Sequence, residues 1–140
     1  MLDDLLDSSQ VEELTDTAIE QFYTYGYAQY KFGNFLQAID VFRSLCTRRP
    51  FESRFWFGLG AACQEMKQYE AAIQSWMMAA TTEPNDPYPH FHAAECALSK
   101  SDWERAFGLL KEAEARAAKH HPLKEQIVAL KLRWKTYESR

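Results

Sequence analysis

The sequence predicts an all-α protein built from three helix pairs in series, preceded by an N-terminal helical extension and closed by a C-terminal capping helix. Three observations carry this reading. First, the chain matches itself when shifted by 34 residues: Phe22, Tyr25 and Gly26 fall on Trp56, Leu59 and Gly60, then on His90, Ala93 and Ala94. Phe35, Tyr69 and Trp103 follow in the same register, then Ala38, Ala72 and Ala106, then Phe42, Trp76 and Leu110. A fixed period of this length is the mark of a repeat array. Second, 5 Gly and 5 Pro in 140 residues leave room for few turns. Third, Ala, Leu, Glu, Gln and Lys recur together, and these side chains lose little rotamer freedom in a helix.

The elements follow in order. Ser9, with Glu12 three residues on, is a capping-box match and opens a helix over 9–32. Gly33-Asn34 breaks it, and Asn34, with Gln37 three residues later, is the candidate N-cap of a helix over 35–48. Pro50 separates this pair from helices over 53–66 and 69–82, and Pro84 closes the second pair. Asp86-Pro87 supplies an N-cap and a first-turn proline for 87–99. Helices over 103–119 and 122–138 complete the chain. Within each pair a small residue, Gly26, Gly60 or Ala94, is expected to let the second helix approach closely at Ala38, Ala72 or Ala106. Residues 1–18 are thus an extension, 19–120 the three repeats, and 121–140 a basic helix whose Leu123, Ile127, Leu130 and Trp134 cover the last apolar face.

Charge and composition exclude several roles. With 46% hydrophobic and 26% charged residues the chain suits a packed globule and not a disordered one. A net charge of −4 argues against nucleic-acid binding. Residues 1–20 are acidic with no Lys or Arg, whereas the C-terminal part is basic, so head and tail attract. Cys46, Cys63 and Cys96 are odd in number and sit in apolar helical stretches, which reads as reduced core thiols. No apolar run is long enough to span a membrane, and acid stands where a signal peptide carries base, so stable membrane insertion is not expected and a cytoplasmic location is. Leu2, Leu5, Leu6, Val11 and Leu14 form an apolar set with little chain nearby to bury it, which points to a homodimer through this segment.

The 34-residue pattern resembles the tetratricopeptide repeat, three copies of which form a short right-handed solenoid. More specifically, Ser53 to Trp76 (SRFWFGLGAACQEMKQYEAAIQSW), Pro87 to Ala106 (PYPHFHAAECALSKSDWERA) and the opening Ala18 to Cys46 resemble the class II chaperones of bacterial type III secretion. The resemblance runs from about Ala18 to Ala118. It implies a chaperone of the bacterial cytoplasm that keeps hydrophobic translocator proteins soluble before export, gripping a short Pro-x-Leu-x-x-Pro segment. It implies further that some such chaperones also bind a transcriptional activator once the substrate has left. In this repeat the second, fifth, ninth, twelfth and thirteenth residues of each first helix face the concave side. The resemblance therefore selects Glu20, Tyr23, Tyr27, Tyr30 and Lys31; Arg54, Phe57, Ala61, Gln64 and Glu65; and Tyr88, Phe91, Glu95, Leu98 and Ser99.

The residues support a groove independently. Tyr23, Tyr27 and Tyr30 share one helical face while Phe22, Tyr25 and Gly26 already supply the inward one, so the first helix is apolar on two sides. Tyrosine combines a rigid contact area with a hydroxyl that tolerates water. The peptide-binding set is Tyr23, Tyr27, Tyr30, Lys31, Arg54, Phe57, Ala61, Gln64, Tyr88, Phe91, Glu95 and Leu98. A blander reading has the second stripe merely covering the N-terminal segment, and another makes the repeats an adaptor joining folded subunits of a secretion apparatus. His90, His92 and Cys96 invite a metal reading but lack a fourth ligand, and His120-His121 reads as a solvated junction. No nucleophile, base and orienting acid recur in a recognisable arrangement and no phosphate-cradling loop is present, so neither enzyme activity nor a cofactor is expected.

Overall fold

A computed structural model describes residues 13–119 and 121–138, with no account of the side chains of residues 137 and 138. Among the described residues there are seven helices and no strand: α1 (Asp16–Lys31), α2 (Phe35–Arg48), α3 (Ser53–Glu65), α4 (Tyr69–Thr82), α5 (Tyr88–Ser99), α6 (Trp103–Arg116) and α7 (Lys124–Glu138). Each packs mainly on its neighbours in sequence, with lighter contacts from α1 to α3 and from α5 to α7. The result is the all-α repeat solenoid that the period predicts.

The helix pairs are joined by one turn used three times. Gly33, Lys67 and Ser101, 34 residues apart, all hold a left-handed backbone, with φ of 83°, 59° and 61°. In each, the left-handed residue's N–H and the next N–H close back onto the last turn. Gly33 donates to the Tyr30 carbonyl at 3.1 Å and Asn34 to that of Gln29 at 2.8 Å. Lys67 and Gln68 do the same to Gln64 and Cys63, and Ser101 and Asp102 to Leu98 and Ala97. This is the Schellman arrangement, which satisfies the orphan carbonyls of a helix end.

Caps correct parts of the sequence reading. Helix α1 starts at Asp16, with the Thr15 hydroxyl accepting the Ala18 N–H at 3.1 Å, and residues 13–15 are not helical. The Ser9–Glu12 capping box lies outside the described residues, as do Leu2, Leu5, Leu6 and Val11. Asn34 stands at the N-cap position of α2 without capping it, and its amide nitrogen donates to Gln29 Oε1 at 2.9 Å. Asp86 does cap, accepting the Tyr88 N–H at 2.9 Å. Helix α6 ends at Arg116, short of 119, where Ala117 turns extended at ψ 125°. His121 is half-buried, packs its ring 5.4 Å from that of Tyr88 and accepts the Leu123 N–H at 3.0 Å, so it is a structural element of the junction and not a solvated one.

The core runs through the whole array. Phe42, Phe55, Phe91, Ile73 and Leu110 are among its largest fully buried side chains, and Leu123, Ile127 and Leu130 of the C-terminal segment are buried with them. Trp134 stacks on Phe107 at 4.3 Å and donates its indole N–H to the Trp103 carbonyl. In the first two pairs the closest neighbours of the small residue are not the alanines expected. A Cβ on Gly26 would stand 2.7 Å from Val41 Cγ1, and one on Gly60 would stand 2.8 Å from the Trp76 ring, so each glycine makes room first for a larger side chain of the second helix. Gly58, outside the period, does the same for Phe42, whose ring carbons would lie 2.6 to 2.7 Å away. Trp56 is only half-buried; its neighbour Phe55 takes the fully inward place.

Candidate functional site

The concave side of the first two pairs encloses a groove of about 740 Å³. Helix α1 contributes Tyr23, Tyr27 and Tyr30, and α3 contributes Arg54, Phe57, Gly58 and Ala61. The i, i+4, i+7 spacing aligns the tyrosines because 3.6 residues make a turn. Behind them the rings of Phe42 on α2 and Trp76 on α4 form the floor, and the lining is completed by Phe51, Glu52, Glu83 and Asp86 from the two loops between pairs and by Ser53 at the start of α3.

The aromatic wall is internally packed. Tyr23 lies 6.2 Å from Tyr27, 6.0 Å from Phe42 and 5.5 Å from Phe55, while Phe57 meets Trp76 edge-on at 5.3 Å. Such tilted and edge contacts suit the ring quadrupoles. The Arg54 guanidinium sits 4.7 Å over Tyr23 and 4.8 Å over Phe55, held by a fork to both oxygens of Glu20 in the preceding repeat. That hydrogen bond lowers the Glu20 carboxyl and raises the Arg54 guanidinium from their ordinary values, so both remain charged. Burial pushes Tyr23 and Tyr30 upward, which keeps their hydroxyls neutral. Tyr27 is the wall residue left open, 47% exposed.

A smaller depression of about 360 Å³ continues the groove past Tyr30, Ala61 and Trp76 to Gln64, Glu65, His92 and Glu95. Here the Trp76 indole donates to Gln64 Oε1 at 3.1 Å, Gln64 Nε2 donates to Glu95 Oε1 at 3.4 Å, and His92 Nδ1 lies 2.7 Å from the same oxygen. His92 also stacks on Trp76 at 4.7 Å. Three helices are tied together at this point.

Of the sequence-selected residues, Tyr23, Tyr27, Tyr30, Arg54, Phe57, Ala61, Gln64 and Glu95 line these two connected spaces. Four do not. Phe91 and Leu98 are core residues, 2% and 5% exposed, because the half-open stripe of α5 runs along Tyr88, His92, Glu95 and Ser99 and these two side chains lie off it, turned into the packing. Tyr88 is half-buried against His92 and His121 and lines neither space. Lys31 is exposed and lines neither space, its ammonium 5.3 Å from the centroid of the Tyr27 ring. Sequence reasoning missed the floor residues Phe42 and Trp76 and the loop residues of the lining. The signal available for the floor was Gly58, a helix-interior glycine with no counterpart in the repeat.

The remaining candidates are structural. Cys96 is fully buried and His92 is engaged by Trp76 and Glu95; among the described residues no three His, Cys, Asp or Glu side chains are placed to hold a metal ion. Burial pushes the Cys46 and Cys96 thiols up to about 12 and raises Cys63. Among the described residues no helix is long and apolar enough to cross a membrane.

Comparison with known proteins gives the same picture. The tetratricopeptide-repeat family profile matches residues 19–49 and 53–81, the first two helix pairs. Low calcium response locus protein H of Yersinia pestis is 35% identical over 132 residues, spanning 94% of this chain and 72% of its own. The type III secretion chaperone SycD of Yersinia enterocolitica, solved with a peptide of the translocator YopD, superposes with a TM-score of 0.83 at 33% identity, covering 91% of this chain and 99% of that one. PcrH of Pseudomonas aeruginosa, solved with the chaperone binding region of PopD, superposes with a TM-score of 0.80 at 32% identity, covering 94% and 98%.

Proposed function

This chain belongs to the tetratricopeptide translocator chaperones of type III secretion, and on that premise we propose that its concave groove binds an extended apolar segment of a translocator and keeps that protein soluble until export. The role is non-enzymatic and is exercised in the bacterial cytoplasm.

The observation that carries the reading is the second apolar face of α1. Tyr27 remains 47% exposed in a wall whose other rings are already packed, beside Ala61, whose short side chain leaves space opposite. A side chain entering there would complete the packing around Tyr27 and expel water from about 740 Å³ of largely aromatic groove. Solvated hydroxyls keep the empty wall compatible with water, which suits a site that must be vacated on export.

Binding and stability separate the groove from the core. Tyr27→Ala is expected to weaken binding of a translocator peptide with a Pro-x-Leu-x-x-Pro core by about 1 to 3 kcal/mol while moving the unfolding midpoint little. Phe42→Ala, at a ring 1% exposed, should instead lower stability by about 3 to 5 kcal/mol. Isothermal titration on both variants, paired with chemical denaturation, reads the contrast. Peptide affinity unchanged by Tyr27→Ala would defeat the groove reading.

A further inference from the structure

The lining of the groove carries a feature that aromatic packing does not use. Phe51, in the loop between α2 and α3, is 89% exposed and yet lines the groove. Glu52 follows it in the chain, and the loop between α4 and α5 adds Glu83 and Asp86 to the lining of the same groove. The one cation of the lining, Arg54, is already matched: Glu20 takes its fork and Glu52 stands 3.5 Å from its Nε. Glu83 has no ion-pair partner among the described residues, and Asp86 uses one oxygen to cap α5. An exposed ring and carboxylates without a counter-charge, lining one groove, are the chemistry that recognises a side-chain cation.

Resting on the groove reading above, we propose that Phe51, Glu83 and Asp86 form a subsite for an Arg or Lys of the bound segment, lying just outside the apolar core that fills the aromatic wall. The planar guanidinium or the ammonium packs on the Phe51 face while the Glu83 and Asp86 carboxylates supply its counter-charge. The ligand of this chaperone is therefore an apolar segment with a basic flank, and an acidic flank at the same place is selected against by like charge.

Synthetic peptides test this on the full chain. One carries a Pro-x-Leu-x-x-Pro core with neutral flanks; others place Arg, Gln or Glu two residues outside either end. Titration calorimetry at low salt should show one Arg-flanked peptide binding about five- to tenfold tighter than its Gln counterpart, from one cation–π contact and one exposed ion pair. The Glu-flanked form should bind more weakly than the Gln form. That advantage should shrink in Phe51→Ala and Glu83→Gln, two exposed positions whose replacement leaves the core untouched, and should fade at high salt. Equal affinity of the Arg, Gln and Glu peptides, with the core still binding, overturns the subsite and leaves the groove standing. Failure of every peptide to bind overturns the groove, and the subsite falls with it.

Discussion

Gly58→Ala tests how this groove is built. Helix-interior glycine to alanine at an open position raises stability by about 1 kcal/mol through helix propensity. At Gly58 the added methyl would meet Phe42 Cε1, Cδ1 and Cζ at 2.6 to 2.7 Å, about 1 Å inside an ordinary carbon contact. The ring has little freedom to move away. It is 1% exposed, and a Cβ on Gly26 would stand 3.4 Å from the same Cε1, so two glycines clamp it. Overpacking of this kind costs about 1 to 3 kcal/mol, and three simultaneous clashes belong at the upper end. The net expectation is a loss of about 2 kcal/mol, or roughly 6 to 10 °C in Tm for a chain this size. Gly108→Ala is the control, with no atom within 4 Å of the added methyl, and should gain up to about 1 kcal/mol. Thermal and urea unfolding read both variants. Phe42→Leu in the Gly58→Ala background should recover part of the loss, as contacting sites couple. A Gly58→Ala variant melting at or above the parent would refute the clamp.

Three further outcomes are expected. Lys67→Gly and Ser101→Gly should each stabilise by about 0.5 to 1 kcal/mol in urea unfolding, since a left-handed non-glycine residue costs about 1 to 2 kcal/mol and added chain entropy offsets part of that; destabilisation would mean their side chains contribute more than the turn strains them. Glu70 is held down from 4.5 to about 2 by hydrogen bonds from Arg105 and then Lys100 in the next repeat, so its contribution is full above pH 4.5 and lost as pH falls toward 2. For so exposed a network that is about 0.2 to 1 kcal/mol; a stability difference between parent and Glu70→Gln that persists below pH 2 would contradict it. Cys46, Cys63 and Cys96, all buried with raised pKa values, should resist a thiol reagent at pH 8 until denaturant is added, and rapid labelling of the native chain would contradict their placement.

The helix pairs were legible because a period of 34 is a global signal that survives local degeneracy. Lys67 and Ser101 show why: neither is glycine, yet the two carbonyls at each helix end require the same turn, so the backbone adopts it and tolerates the strain. The α1 wall was legible for a similar reason, since Tyr23, Tyr27 and Tyr30 exceed what one buried face needs. The third repeat misled. The positional rule that works for α3 and for the tyrosines of α1 placed Phe91 and Leu98 in the groove as well, but the half-open face of α5 runs along Tyr88, His92, Glu95 and Ser99, and Phe91 and Leu98 lie off it in the core. The floor was hidden because it belongs to second helices. Phe42 and Trp76 reach the groove only where Gly58 and Gly60 leave nothing in front of them, and a missing side chain is a weak cue without the neighbour that uses it.

Because each helix leans almost wholly on its neighbours in sequence, the molecule behaves as a row of coupled segments and not as a single knot of contacts. Opening in such a row starts at the ends and travels inward, so among the described helices amide protection should be graded, highest near α3 and α4 and lower toward α1 and α7. The groove spans α1 to α4, and an occupant lying along it would fasten an end segment to the middle. Occupancy then makes fraying at that end an all-or-none event, and release of the occupant restores the loose end.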